Sequence, residues 1–507
     1  MRKERGNRQA RYQVLILGVL FLVLASNRPV QAQTIDVDRA GPIDSISKAI
    51  EMSLPGDQIR VQPGVYEGQL IIDKPVELIG VDHPVIDGQG LGDTITIKAD
   101  GVKLQGFEVR GSGRKIQDSD AGIKIFSSHN EVKENCLKDN LFGIYLNKAS
   151  QNVLEGNEIT GRQAQNKLKQ QTDMDISENA GLHPTFEGES GDGIHLFSAS
   201  GNKVNNNTIE KTRDGIYFNY AENNQLTGNR ISHVRYGIHY MYSNSNIFEE
   251  NRLTDNIAGA ALMYSKNITF KNNVFAHNRG QRSYGLLFST CDDSLAEGNV
   301  IIDNTRGAFF DVSLHNVFKN NLVASNDVGI DLISSSSDNL FVNNNLVDNL
   351  QQVAMIAGSV GEGNLFAKNG QGNYWNDYSG FDLDRDGIGD IPYLSGDPFT
   401  FLMKKAPAVR LFLNSPAASA LEFSEKMFPI IDIPMVKDEY PVVEPIPMPN
   451  PDLVNEFTAK RTSNKALGFY SMAMLFIAGS IFNWAFRISS KKGKVKRHGG
   501  KRGISRV

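Results

Sequence analysis

A right-handed parallel β-helix, in an all-β exported body with one membrane-spanning helix near the C-terminus, is the fold the sequence predicts. Three observations carry the prediction. A glycine-led apolar strand recurs at a period near 22, an asparagine follows each glycine at a constant offset, and residues alternate at period two within each strand. The strands begin at Gly193, Gly215, Gly237, Gly259, Gly285, Gly307 and Gly329, with spacings of 22, 22, 22, 26, 22 and 22. Gly122 and Gly143 head the same pattern 21 residues apart, and the 50-residue step to Gly193 is one coil plus a 28-residue insertion. Each coil adds core lengthwise, so a 507-residue chain needs no second globular core. The stack is expected to hold roughly ten coils.

The asparagines are Asn157, Asn207, Asn229, Asn251, Asn273, Asn299 and Asn321, each 14 residues behind its glycine, and Asn345, 16 behind, after the extra serines at 334–337. Stacked in register, their amides would hydrogen-bond from coil to coil. The glycines are expected at a turn that needs positive φ. Leucine-rich repeats share the period but need a leucine and helix signature that is missing. The Asn and Gly density excludes helical repeats.

In chain order, Arg2 to Arg11 and the apolar run Val14 to Ala25, followed by Val30-Gln31-Ala32, read as a secretory leader over 1–32. The β-helix should occupy 33–394, opening with a short helix over Ser45 to Leu54, then Pro55-Gly56-Asp57 and strands Gln58–Val61, Gln69–Ile72 and Val76–Gly80. The insertion at 161–190 is polar and acidic and is expected to be a loop. The stretch 372–394 is placed to cap the open end, where strand edges would otherwise be exposed. Residues 395–465 hold a short amphipathic segment, Pro416 to Phe428, and a linker rich in Pro and Met at 430–452. Ala466 to Phe486 is apolar for 21 residues, about 30 Å as a helix, and so long enough to span a bilayer. The tail 487–507 carries nine Lys/Arg and no acid, which places it in the cytoplasm and the body outside.

Setting aside the basic leader and tail leaves 38 Lys/Arg against 56 Asp/Glu, a net charge of −18 for the exported part. That balance gives no electrostatic case for nucleic acid and suits cationic or metal-bearing partners. The only cysteines, Cys136 and Cys291, fall six coils apart, about 29 Å at about 4.8 Å per coil, too far to bridge. Buried free thiols are the expectation.

Alternation puts Gly+1 and Gly+3 in the core and Gly+2 and Gly+4 on a solvent face. The outward rows are then Lys124, Tyr145, His195, Tyr217, His239, Ala261, Leu287, Phe309 and Asp331, beside Phe126, Asn147, Phe197, Asn219, Met241, Met263, Ser289, Asp311 and Ile333. His195, His239, Met241 and Met263 form a candidate Cu(I) set, because thioether and imidazole are soft or borderline donors. The same side chains could instead pack beneath the insertion. A third reading is enzymatic, with His195, Tyr217, His239, Asp192 and Asp214 as an acid–base cluster on a polysaccharide. No lyase or hydrolase signature accompanies it, and Asp82-His83-Pro84 has the composition of an epimerase motif in the wrong order. Asp382, Asp384, Asp386 and Asp390 have the spacing of a calcium loop with glycine at the sixth position, but Tyr393 stands where a bidentate Glu would be expected. An Asp/Gly-rich capping turn fits the same residues.

The stretch from Gly372 to Tyr393, Gly-Asn-Tyr-Trp-Asn-Asp-Tyr-Ser-Gly-Phe-Asp-Leu-Asp-Arg-Asp-Gly-Ile-Gly-Asp-Ile-Pro-Tyr, closely resembles the terminal motif of the NosD family. The Pro55-Gly56-Asp57 entry, the 22-residue coils and the run from Ser415 to Pro429 resemble that family too, over about residues 35–445. The resemblance implies a periplasmic accessory factor, not an enzyme. It would work with an ABC transporter (a NosF-type ATPase and a NosY-type membrane subunit) in supplying copper to the copper–sulfide centre of nitrous oxide reductase. The C-terminal span would anchor it to the inner membrane. A β-helix that binds or modifies polysaccharide is the alternative.

Overall fold

In the computed structural model the described residues are 32–161, 190–356, 363–395 and 436–448, with 415, 416, 420 and 424 as isolated positions. They form a right-handed parallel β-solenoid of three sheets. The first sheet has 13 strands, from Thr34–Val37 to Leu340–Val342. The second has 12, from Leu70–Ile72 to Gln351–Ile356, and the third has 13, from Val65–Glu67 to Tyr374–Trp375. The stack is thus longer than the roughly ten coils expected. The first coils, up to Arg110, turn on Gly64, Gly68 and Gly106 and lack both repeat landmarks, so periodicity alone undercounts them.

The opening elements fall where expected: a helix at Ile46–Met52 and strands at Gln58–Val61, Leu70–Ile72 and Glu77–Gly80. The helix buries Ile46, Ala49 and Ile50 over the first coil and closes that end of the core. Within the stack every coil sets the same position above the last. Ile194, Ile216, Ile238, Ala260 and Leu286 form one inward column, and Leu196, Phe218, Tyr240, Leu262 and Phe288 another. Both columns are shut from solvent. Aromatic rings stack within the core, Phe248 on Phe270 at 4.4 Å and Phe288 on Phe310 at 4.7 Å.

The repeat glycines do not sit at positive φ, contrary to expectation. Their role is close approach. A Cβ on Gly237 would lie 2.6 Å from the carbonyl oxygen of Gly259 in the next coil and 2.9 Å from Leu253. The left-handed turns fall elsewhere, at residues such as Asn206, Asn272 and Tyr242.

The asparagine ladder is present and continuous. Asn207 gives both its backbone N–H and its side-chain N–H to Asn229 Oδ1, each at 3.0 Å, and also donates to the Leu154 carbonyl. The same three bonds recur at Asn229, to Asn251 and Val204. The row starts at Asn135 and runs to Asn373. Its member after Asn321 is Asn344, not Asn345; that coil is one residue longer, the extra residue lying in the turn between Leu332 and Ser336. Asn345 instead grips the backbone of Ile446 through both amide atoms. Parallel rows include Asn202–Asn224–Asn246 and Asn278–Asn304–Asn326.

The cap lies where the sequence puts it, with a contribution from a distant segment. Tyr393–Ser395 pairs antiparallel with Val436–Asp438, and Trp375 stacks on Tyr393 at 4.1 Å. Asp438, fully buried, accepts from Asn373 N at 2.7 Å and from Trp375 Nε1 at 2.8 Å, ending the ladder on a carboxylate. Both cysteines are free; Cys291 is buried, with its thiol pushed up to about 12 by burial, but Cys136 is only half-buried because its side chain faces outward from the third sheet.

The leader, most of the insertion, the Pro416 to Phe428 segment apart from isolated positions, the span 466–486 and the tail 487–507 lie outside the described residues. Among the described residues no helix is long and apolar enough to cross a membrane.

Two outcomes follow from this packing. Asn229→Ala strands buried partners in both neighbouring coils and should lower stability by about 1–3 kcal/mol in chemical denaturation; an unchanged midpoint would show that the ladder is dispensable. Asp438→Ala should leave the central coils intact and raise amide exchange at Asn345–Val347 and Tyr374–Trp375, since a solenoid frays from an uncapped end.

Candidate metal centre

The candidate residues sit on the outer face of the second sheet. Parallel register places Tyr145, His195, Tyr217 and His239 directly beside one another on four successive coils. Their rings form a pile with centroid separations of 4.4, 4.6 and 4.7 Å. This outward row is not solvent-exposed as expected: His195 is 8% exposed, His239 3% and Ala261 0%. Rings spaced by one coil cover one another, Tyr145 face to face on His195 and Tyr217 tilted over His195 and edge-on to His239, a consequence of stacking that alternation alone does not convey. The Met row two residues on, Met241 beside Met263, is half-buried.

Each imidazole is held from behind by a carboxylate. His195 Nδ1 lies 2.8 Å from Asp192 Oδ2, and His239 Nδ1 lies 2.8 Å from Asp214 Oδ2. Both carboxylates are fully buried, and each is clamped by an arginine from the coil above. Arg213 Nε and a terminal nitrogen reach Asp192 at 3.0 and 3.0 Å, and Arg235 reaches Asp214 at 2.8 and 2.6 Å. Burial alone would raise the Asp214 carboxyl, but hydrogen bonds and charge from His239 and Arg235 outweigh it and hold it well below the ordinary range. A carboxylate so fixed stays ionised and orients the imidazole instead of carrying a proton itself.

Met241 follows His239 by two residues in the strand Tyr236–Met241, so both emerge on one face. Tyr217 Oη donates to Met241 Sδ at 3.6 Å, and burial pushes its phenol up to about 12, so it remains a donor. The structure therefore brings His239, Met241 and Met263 into one patch. It separates His195 from them: the Tyr217 ring stands between the two imidazoles, which are two coils and about 9–10 Å apart. The four residues do not form a single chelate.

The paired arginines and a row of tyrosines were not singled out from the sequence. Arg213 and Arg235 both stand two residues before a repeat glycine, a register signal that was there to read. Tyr220, Tyr242 and Tyr264, the residues after the Gly+4 row, are exposed, adopt positive φ and stack at 5.3 and 5.2 Å. Their faces cover one another, leaving edges and hydroxyls toward solvent.

At the cap, Asp382, Asp384 and Asp386 bring carboxylate oxygens within 4.8 Å of one another. Asp390 is not in that group; its Oδ2 accepts from Leu383 N at 2.7 Å. Asp382 takes the N–H groups of Arg385 and Gly387, which is the bonding of a tight Asp/Gly turn. Tyr393, in place of the twelfth ligand, is buried against Trp375.

Over residues 51–184 and 181–380 the chain matches a family model described as "Periplasmic copper-binding protein (NosD)". It is 33% identical over 414 residues to a "Probable ABC transporter binding protein NosD" of Stutzerimonas stutzeri, covering 78% of this chain and 88% of that one. It is 34% identical over 431 residues to the protein of the same name from Pseudomonas aeruginosa, covering 82% and 94%. Among solved structures it is similar to the Azotobacter vinelandii mannuronan C-5 epimerase AlgE6 A-module, at 13% identity and a TM-score of 0.43, over 61% of this chain and 90% of that one. On the length and identity of these matches, the chain belongs to the NosD family of periplasmic copper-binding proteins.

Proposed function

We propose that this protein is a periplasmic accessory factor that carries Cu(I) on the outer face of its second sheet and passes it toward the copper–sulfide centre of nitrous oxide reductase. Its partners in this reading are an ABC transporter with a NosF-type ATPase and a NosY-type membrane subunit, and the reductase itself. The helix 466–486 would tether it to the inner membrane beside that transporter. Copper is cargo here, and the protein binds it without turning over a substrate.

The observation that supports the reading most is a patch of soft and borderline donors, His239, Met241 and Met263, on a chain of a copper-binding family. Thioethers suit Cu(I), and two of them beside an imidazole give three donors with room for a fourth from an exchanging partner. The two thioethers are half-buried on the outer face while the imidazole is buried, so a partner would reach the ion from the methionine side. The carboxylate-backed imidazole supplies the orientation that a metal ligand needs. The names of the relatives agree with a binding partner of an ABC transporter.

Competition with a Cu(I) chelator tests it on the purified full-length protein. The wild type should bind Cu(I), and Met241→Leu with Met263→Leu should weaken binding at least tenfold while leaving the melting point nearly unchanged, because the swap conserves volume. A wild type that never competes would exclude a Cu(I) site on this face.

A further inference from the structure

Every coil is a control for its neighbours, and the controls single out two buried ion pairs. The position two residues before the repeat glycine is Arg213 and Arg235 in two coils, but Leu141, Ile257, Ser283 and Thr305 in others. The position one before is Asp192 and Asp214 in two coils, Phe142, Ala258 and Tyr284 in others, and Arg306, paired with Asp331, in one. Apolar residues therefore satisfy the fold at these sites. A buried ion pair is a poor way to add stability there, since apolar replacement is often neutral or favourable. The two aspartates are also the ones that touch an imidazole of the outer row, one through its own coil and one through the next.

We infer that Asp192–Arg213 and Asp214–Arg235 are positioning pairs. They hold His195 and His239 with Nδ1–H toward the carboxylate and Nε2 unprotonated, and at His239 that Nε2 is the nitrogen offered to a Cu(I) ion beside Met241 and Met263. This rests on the copper reading above and assigns the residues that prepare its imidazole. The arginine fork occupies both oxygens of each carboxylate and compensates its charge. The carboxylate accepts only, so a hydrogen bond at Nδ1 requires the proton to sit there. Nε2 then keeps its lone pair in the neutral ring. The ring pile of Tyr145, His195, Tyr217 and His239 stops either imidazole from tilting away from its carboxylate. Asp192 and Asp214 thus act through the histidines and touch no metal themselves.

The substitution Asp214→Asn reverses the donor pattern. Arg235 would keep the amide oxygen, leaving the amide N–H₂ to face His239 Nδ1, which must then accept and move its proton to Nε2. Nitrogen-15 NMR of the histidine-labelled full-length protein reads this directly, with His239→Gln used to assign the signal. The wild type should show an unprotonated Nε2 at His239 that shifts when Cu(I) is added. Asp214→Asn should show a protonated Nε2 and bind Cu(I) about 10–100-fold more weakly. An unchanged tautomer in the variant would overturn the positioning role, whatever copper does. A flipped tautomer with unchanged Cu(I) affinity would overturn the link from the pair to the ion. Wild-type rings with the expected tautomer and no response to Cu(I) would uphold the positioning and overturn the copper reading. If Asp214→Asn does not fold, Asp192→Asn reads the tautomer at His195, where the clamping arginine is more exposed, and an unchanged tautomer there would overturn the positioning role.

Discussion

The stacking of asparagine amides from coil to coil is the interaction on which the rest of the structure depends. Backbone bonds within three parallel sheets, continued at turn residues such as Asn206, Gly228 and Glu250, fix the spacing of the coils, and the buried corners add a side-chain ladder to them. The amides supply it. Each takes the place of a strand at a corner: Asn229 accepts from Asn207 in the coil before it, donates to Asn251 in the next, and donates back to the Val204 carbonyl of the coil before. Because the bonds are buried and satisfied in both directions, a coil that slipped by one residue would leave donors and acceptors unpaired at every corner. Register is therefore specified by the amides from Asn135 to Asn373, including across the 28-residue insertion, where Asn157 still meets Asn207.

That register is what turns a repeat into a site. Identical positions on successive coils stand about 4.8 Å apart, near the thickness of a stacked aromatic ring plus a small gap. Flat side chains in one row therefore seal one another, and the Tyr145–His195–Tyr217–His239 pile is buried although it faces outward. Flexible thioethers in the next row are left half-open. The result is an outer face with a rigid imidazole row and a softer, reachable methionine row beside it. The body's acidity favours cations in general, while the donor chemistry of this patch favours a soft one.

Closure of the two ends follows different physics. At the start a short amphipathic helix lays Ile46, Ala49 and Ile50 on the first coil. At the far end the ladder would stop at Asn373 with donors unmet, and Asp438 arrives from 65 residues away to accept them. Burial pushes the Asp438 carboxyl above its ordinary range, opposed by the bonds from Trp375 and Asn373 that favour its charge. The Asp382 to Asp390 turn joins the last strand of the third sheet, Tyr374–Trp375, to the cap strand Tyr393–Ser395.

The period of the repeat, the inward columns, the position of the insertion and the pairing of Met241 with Met263 were all legible in the sequence, because in a parallel stack sequence offset translates directly into spatial neighbourhood. The same logic found His195 and His239 on one row. It undercounted the early coils, whose turns use glycines without the repeat landmarks, and it took Asn345 for Asn344 in a run of three asparagines after a coil one residue longer. Only the tertiary structure decided what depends on side-chain thickness and on contacts between coils. It buried a row that alternation makes outward, put Tyr217 between the histidines, clamped Asp192 and Asp214 with arginines from the next coil, and brought Asp438 to the end of the ladder. Alternation tells which way a side chain points; what it meets there depends on the volume and reach of its neighbours one coil away.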